Sequence, residues 1–347
     1  MLELISTPRG PRARQLRRAI GSAVAVVSLT ATALAVEATA HGQPASPSAS
    51  SGCSTPTPAS GESTLQFTNG GKTGTYIQSI PPGANKPLPV VLDLHGFMEP
   101  ADIEHSGTGL AELGTSRGFL TITPQLSELR LPQWDFTENS ADITYLSQLL
   151  THVEETLCVD RQRIYATGLS MGGFTSSSLG CQLSERIAAI APVAGLQDFT
   201  WCHPSRPVPV IAFHGSEDPI IAYTGGEGPN ARFLPTPGNT GSSLNDSEPG
   251  VNGPNSRSIP DNAAAWARRN GCAAEPTDQL VAPDVSLRNY ACPADASVQL
   301  YTVLGAGHVW PGTSSAVYPQ PLVGANTTSI NATQLIWDFF QAHPLRR

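Results

Sequence analysis

The chain has 347 residues, a formal charge of −8 and 14% charged residues, with Lys72 and Lys86 as its only lysines. That leaves no basic patch for nucleic acid or an anionic membrane surface. The length suits one large domain with flanking segments.

Residues 1–40 carry Arg9, Arg12, Arg14, Arg17 and Arg18, then an apolar stretch from Ala19 to Val36, then Ala38-Thr39-Ala40. This is the pattern of a secretory signal peptide, and the stretch is short for a membrane anchor. Arg17-Arg18 leaves the export route open. Its removal takes away five arginines and two glutamates, so 15 basic residues face 26 acidic ones, a formal charge of −11. An extracellular protein without a membrane span is expected. Residues 41–62 are rich in Ser, Pro, Thr and Gly, with too little apolar side chain to offset ordering, and read as a linker or loose arm. Cys53 lies within it; Ser50-Ser51-Gly52 lacks the leucine usual before a lipid-modified cysteine.

Residues 63–347 alternate strand and helix patterns, which predicts one α/β domain with a mostly parallel sheet covered on both faces. Leu65–Thr68 and Thr75–Ile80 flank Asn69-Gly70-Gly71-Lys72 as a hairpin. Pro89–Leu94 is a buried strand ending at His95-Gly96-Phe97, followed by a helix near Gly107–Ser116 and a strand over Phe119–Thr123. Ile143, Leu146, Leu149, Leu150 and Val153 recur at helical spacing within Asn139–Leu157. Strands follow at Arg163–Leu169, Ile187–Ala194 and Pro207–Phe213. A long Gly, Pro, Asn and Ser loop covers 225–259, a helix Asp261–Asn270, a last strand Ser297–Leu304, and Asn331 caps a closing helix.

The chemistry centres on Gly168-Leu169-Ser170-Met171-Gly172, a G-x-S-x-G match placed between a strand and a helix. A tight turn there exposes the serine hydroxyl as a nucleophile. Gly114-Thr115-Ser116-Arg117-Gly118 fits the same pattern but runs from helix to strand, so Ser116 reads as an ordinary loop hydroxyl. An activated serine needs a base and an acid to orient it, in the order Ser, acid, His. His308, in the glycine-rich segment after the last strand, is the candidate base; His343, near the C-terminal end, reads as a surface residue. Asp218, just past the Val208–Phe213 strand, is the candidate acid, with Glu217 as its rival. Backbone N–H groups of Met171 and Phe97 are the expected oxyanion donors. His95 and His214 lack ligand-spaced partners and read as structural histidines, so neither metal nor cofactor is expected. Trp310, Tyr223 and Trp134 are candidate substrate-binding rings, favouring short, hydroxylated or aromatic acyl groups over long chains.

Six cysteines, Cys53, Cys158, Cys181, Cys202, Cys272 and Cys292, suit disulfides in an exported chain. Sequence alone fixes none of the fifteen pairings. Proximity favours Cys181 with Cys202 and Cys272 with Cys292, which leaves Cys53 with Cys158.

Gly-Leu-Ser-Met-Gly-Gly at 168–173, His-Gly-Ser-Glu-Asp-Pro from His214, Asn-Gly-Cys272 and Gly-Ala-Gly-His-Val-Trp-Pro-Gly at 305–312 resemble the secreted poly(3-hydroxybutyrate) depolymerase and feruloyl esterase family of α/β-hydrolases. The resemblance implies an α/β-hydrolase fold, Ser170, Asp218 and His308 as a triad, the three cystines named above, and an ester substrate cleaved through an acyl-enzyme. Alternatives are an acetylxylan or general short-chain esterase, a serine peptidase, and a non-catalytic secreted binding protein.

Overall fold

The computed structural model describes residues 48–56, 58–127, 131–235, 257–313 and 318–346. The signal-peptide reading, the start of the arm and most of the 225–259 loop lie outside them.

The elements in chain order are β1 (Gly61–Asn69), β2 (Lys72–Ile80), β3 (Leu88–Leu94), α1 (Ala101–Thr108), α2 (Leu110–Arg117), β4 (Leu120–Leu126), α3 (Ala141–Thr156) and β5 (Val159–Leu169). Then come α4 (Met171–Gln182), β6 (Ala189–Val193), β7 (Val210–Gly215), α5 (Ile259–Arg269), β8 (Thr277–Ala282), β9 (Val285–Asn289), β10 (Val298–Val303), α6 (Gln320–Val323) and α7 (Ala332–Ala342). All ten strands join one sheet in the order β1-β2-β4-β3-β5-β6-β7-β10-β9-β8. The six central strands, β4 to β10, pair in parallel, and antiparallel hairpins extend both edges.

Burial explains the sequence pattern. Strands β3, β6 and β7 are buried along their whole length, hence their near-continuous apolar runs. One core layer places Leu92, Leu94, Phe174 and Trp266 on one face, and a second places Tyr165, Phe213, Trp337 and Phe340 on the other. Of Asn139 and Ser140, either of which the sequence offered as the cap of the helix over Asn139–Leu157, Ser140 takes the role, its Oγ accepting from Ile143 N–H at 3.2 Å; Asn331 Oδ1 accepts from Gln334 N–H at 2.9 Å as expected.

The structure corrects the sequence reading in several places. Residues 48–55, expected as part of a loose arm, dock on the domain. Ser50 N–H donates to Val159 O and its hydroxyl to Leu157 O, both at 2.9 Å, and Cys53 is bonded to Cys158. Backbone pairing and a cross-link hold this segment where apolar side chains are lacking. β1 begins at Gly61, earlier than the hairpin pattern suggested. The single helix expected near 107–116 is two, broken at Gly109, whose φ of 68° no helix accommodates. α1 escaped notice because Glu104 and His105 face the core, which erases its apolar stripe. The β8–β9 hairpin was also missed: β8 is exposed on nearly every residue, so it has no alternation to read. His343 is half buried, its ring bonded to Phe339 O and Ser297 Oγ, and burial lowers its pKa.

The remaining cystines are Cys181–Cys202 and Cys272–Cys292, and no free cysteine is present among the described residues. No helix among the described residues is long and apolar enough to cross a membrane.

Candidate active site

The site is assembled at the C-terminal edge of the parallel strands, where β3, β5, β7 and β10 each end in a loop that contributes one part. β5 runs into α4 with no spacer except Ser170, whose φ of 58° and ψ of −117° are strained for a non-glycine residue. The turn can be this tight because Gly172 lies against β3: a Cβ on it would sit 1.7 Å from Leu94 O. The strained backbone lifts Ser170 above the sheet, at the N-terminus of α4, where the helix dipole favours negative charge. Ser116, by contrast, sits in the last turn of α2 with its hydroxyl donated to Leu113 O at 2.9 Å.

Asp218 is buried at 4% exposure just past β7. Its Oδ1 accepts N–H groups of Ile220 and Ile221 at 2.8 and 2.9 Å. Its Oδ2 faces His308 Nδ1 at 2.8 Å and His214 Nε2 at 3.1 Å. Burial pushes this carboxyl up, but the electrostatic pull of His308 and the hydrogen bonds from both imidazoles more than offset it, and the pKa lies well below the usual carboxylate range. Glu217, its rival from the sequence, is exposed. His214 Nε2 also faces Ile221 O at 2.9 Å; with two acceptors before it, that nitrogen carries the proton. His308 then donates from Nδ1 to Asp218, which leaves Nε2 free to accept. Its backbone is fixed by the N–H bond to Val323 O at 2.6 Å.

Ser170 and His308 line one cavity of about 150 Å³, walled by Phe97, Ile220, Leu234 and Leu322. A second cavity of about 180 Å³ adjoins it, lined by Trp310 and Glu104 and sharing His308, Glu99 and Tyr318 with the first. Met171 is the first residue of α4 and its N–H has no intrahelical partner. Phe97 N–H also has no acceptor among the described residues. Both amides therefore remain available to an oxyanion.

The three rings named from sequence fare differently. Trp310 does border the second cavity, but its indole is buried and donates to Thr333 Oγ1 at 2.9 Å. Trp134 is not on the rim: it stacks on His95 at 4.7 Å, donates to His95 O and packs behind the Phe97 loop. Tyr223 lines neither cavity; its hydroxyl pairs with Thr302 Oγ1 at 2.8 Å. An aromatic side chain near a catalytic residue in sequence was as readily a brace as a contact surface. His95 is fully buried, and burial lowers its pKa to about 4, against a partial offset from the bond to Gly96 O. Among the described residues no cluster of His, Cys, Asp or Glu is arranged to hold a metal. Sequence reasoning missed Glu99, Glu104 and Tyr318. The first of these had a signal, an acid four residues after the His of a strand-end His-Gly, as Asp218 is.

No family model matches the chain. It is 28% identical over 249 residues to feruloyl esterase B of Piromyces equi, covering 67% of this chain and 42% of that protein. It is 31% identical over 140 residues to the bifunctional acetylxylan esterase/xylanase XynS20E of Neocallimastix patriciarum, covering 40% of this chain and 21% of that protein. Against feruloyl esterase D of Neurospora crassa it is 27% identical over 199 residues, 53% of this chain and 67% of that protein. The match thus spans less than half the length of the first two relatives. Among solved structures, an acetyl xylan esterase from Aspergillus awamori superposes with a TM-score of 0.50 at 16% identity, over 71% of this chain and 94% of the other, a likeness of fold. With the sheet order, the elbow and the superposition together, the chain has an α/β-hydrolase fold, and its sequence is similar to those of feruloyl esterases.

Proposed function

We propose that this protein is an exported serine carboxylic-ester hydrolase of feruloyl-esterase type. The observation that carries the reading is the 2.8 Å pair of Asp218 with His308, which lines the same cavity as the strained Ser170. His308 Nε2 takes the Ser170 proton as Oγ attacks the ester carbonyl, and Asp218 steadies the imidazolium. Met171 and Phe97 N–H groups hold the oxyanion. His308 then protonates the departing alcohol, and water enters by the reverse route to release the acid. Export is supported by three cystines, which persist in oxidising compartments.

Cavity size supports the substrate class. A pocket of about 150 Å³ with walls of Phe97, Ile220 and Leu322 suits a benzene-sized or short acyl group. The test is a kcat/KM panel over methyl ferulate, p-nitrophenyl acetate, butyrate and palmitate, hydroxybutyrate oligomers, acetylated xylan and a matched amide. Ferulate or short-chain esters should lead; palmitate or the amide as best substrate would overturn the assignment.

A further inference from the structure

Three carboxyls lie buried behind the candidate site: Asp93 in β3, Glu99 in the loop after it and Glu104 in α1, none more than 3% exposed. Glu104 contacts both of the others, side chain to side chain. Two carboxylates cannot share a buried contact without a proton, so at least one of the three groups is protonated. Their other oxygens hold different partners. Glu99 Oε2 accepts Gly96 N–H at 3.0 Å, Glu104 Oε1 accepts Leu169 N–H at 3.1 Å, and Asp93 Oδ2 accepts the Thr108 hydroxyl at 2.8 Å. Gly96 precedes Phe97, and Leu169 precedes Ser170 and Met171. The Glu99–Glu104 contact therefore bridges the two segments that carry the oxyanion amides.

We propose that Glu99 and Glu104 are positioning residues, a proton-sharing carboxyl pair that clamps the Gly96-Phe97 loop to the Leu169-Ser170 elbow and so sets the spacing of the two oxyanion amides. This rests on the ester-hydrolase reading above. Both residues also line the second cavity, so the clamp stands directly beside the chemistry. The groups facing the pair are Asp93 from β3, His308 from the segment after β10, which lies on the Glu99 side, and Tyr318 ahead of α6. His105, on the same helix as Glu104, turns away to Thr123 and Glu62. Burial, then repulsion from Glu99 and Asp93, pushes Glu104 well above the ordinary range. Burial also raises Glu99, against the pull of its hydrogen bonds and His308, and raises Asp93 to about 7. The shared proton thus persists at neutral pH. Its loss on the alkaline side places two anions in contact and opens the clamp, whereas base catalysis by a neutral imidazole alone has no reason to fail there.

The test is the pH profile of kcat and KM for p-nitrophenyl acetate with the wild type, Glu104→Gln and Glu104→Ala. The wild type should lose kcat on the alkaline side at unchanged KM. Glu104→Ala should lower kcat at neutral pH by about 10²-fold with little change in KM, the size of effect expected from a misplacement of about 1 Å. Glu104→Gln should restore most of that kcat and abolish the alkaline fall, because its amide accepts from Leu169 and donates to Glu99 without a titrating proton. An unaltered alkaline fall in Glu104→Gln, no fall in the wild type, or a wild-type kcat in Glu104→Ala each overturns the clamp. If circular dichroism shows Glu104→Ala unfolded, Glu99→Gln, which should likewise abolish the fall, replaces it. Turnover that survives Ser170→Ala removes the ester-hydrolase reading instead; turnover that depends on Ser170 with an unmoved profile removes only the clamp.

Discussion

Two strand-end loops share one spelling, His95-Gly96-Phe97-Met98-Glu99 after β3 and His214-Gly215-Ser216-Glu217-Asp218 after β7. Both acids are buried, Glu99 at 3% and Asp218 at 4% exposure. Their pKa shifts are opposite in direction. Asp218 faces two imidazoles and two backbone N–H groups and is held low; Glu99 faces another carboxyl and is raised, by its burial. The histidines diverge as well: His214 bridges Asp218 and Ile221 O, whereas His95 stacks on Trp134 with Nε2 unpartnered. Burial raises both carboxyls. At Asp218 the imidazoles of His308 and His214 outweigh it, whereas at Glu99 the hydrogen bonds from Glu104 and Gly96 N–H pull the other way without outweighing it.

The sharpest way to break this comparison is to neutralise each acid. Asp218→Asn should lower kcat by about 10⁴-fold, because the amide selects the wrong imidazole tautomer. Ser170→Ala and His308→Ala should each lose at least about 10³-fold, as members of one unit. Glu99→Gln, an isosteric change at an acid that positions the loop and takes no proton in the reaction, should lose far less in the same ester assay. A Glu99→Gln loss as large as that of Asp218→Asn would mean that the two acids carry equivalent roles.

None of the three cystines falls within either loop. Reduction should therefore lower stability by about 2–5 kcal/mol per bridge, as is typical of exported domains, without moving the alkaline limb of the pH profile. Calorimetry with and without reductant, paired with the kinetic profile, checks both halves of that expectation.

Stability should also depend on pH with opposite signs in the two regions. Asp218 has a depressed folded pKa, so its contribution is present above the unfolded value of about 3.9 and is lost as pH falls through the folded one. Asp93, on the Glu99 side, has a raised folded pKa of about 7. Its contribution is full below about 3.9 and is lost as pH rises through about 7, at up to about 1.4 kcal/mol per pH unit. Tm measured against pH should show Asp93→Asn flattening the loss between about 4 and 7, and Asp218→Asn flattening the loss below it. A single mutant that flattens both limbs would show the regions coupled.

The smallest effects belong to residues that sequence proximity placed near the site and the structure does not. Tyr223→Phe removes one hydrogen bond to Thr302 and should cost about 1 kcal/mol of stability with kcat/KM unchanged. Ser116→Ala should be silent in both measurements.

What the sequence determined by itself was whatever depends on neighbours along the chain. The elbow at Ser170 needs small residues two positions either side; buried strands such as β3 and β7 need continuous apolar runs; Ser140 and Asn331 announce their helices through local side-chain caps. Asp218 and His308 were legible for the same reason, each following a recognisable strand end. Tertiary structure decided what depends on contact between distant segments. It placed Trp134 and Tyr223 as internal braces, docked residues 48–55 where low apolar content had suggested a free arm, and turned Glu104 inward so that α1 lost its amphipathic signature. It also decided the direction in which each carboxyl's pKa moves, because burial and the groups laid against Glu99 and Asp218 come from segments far away in the chain.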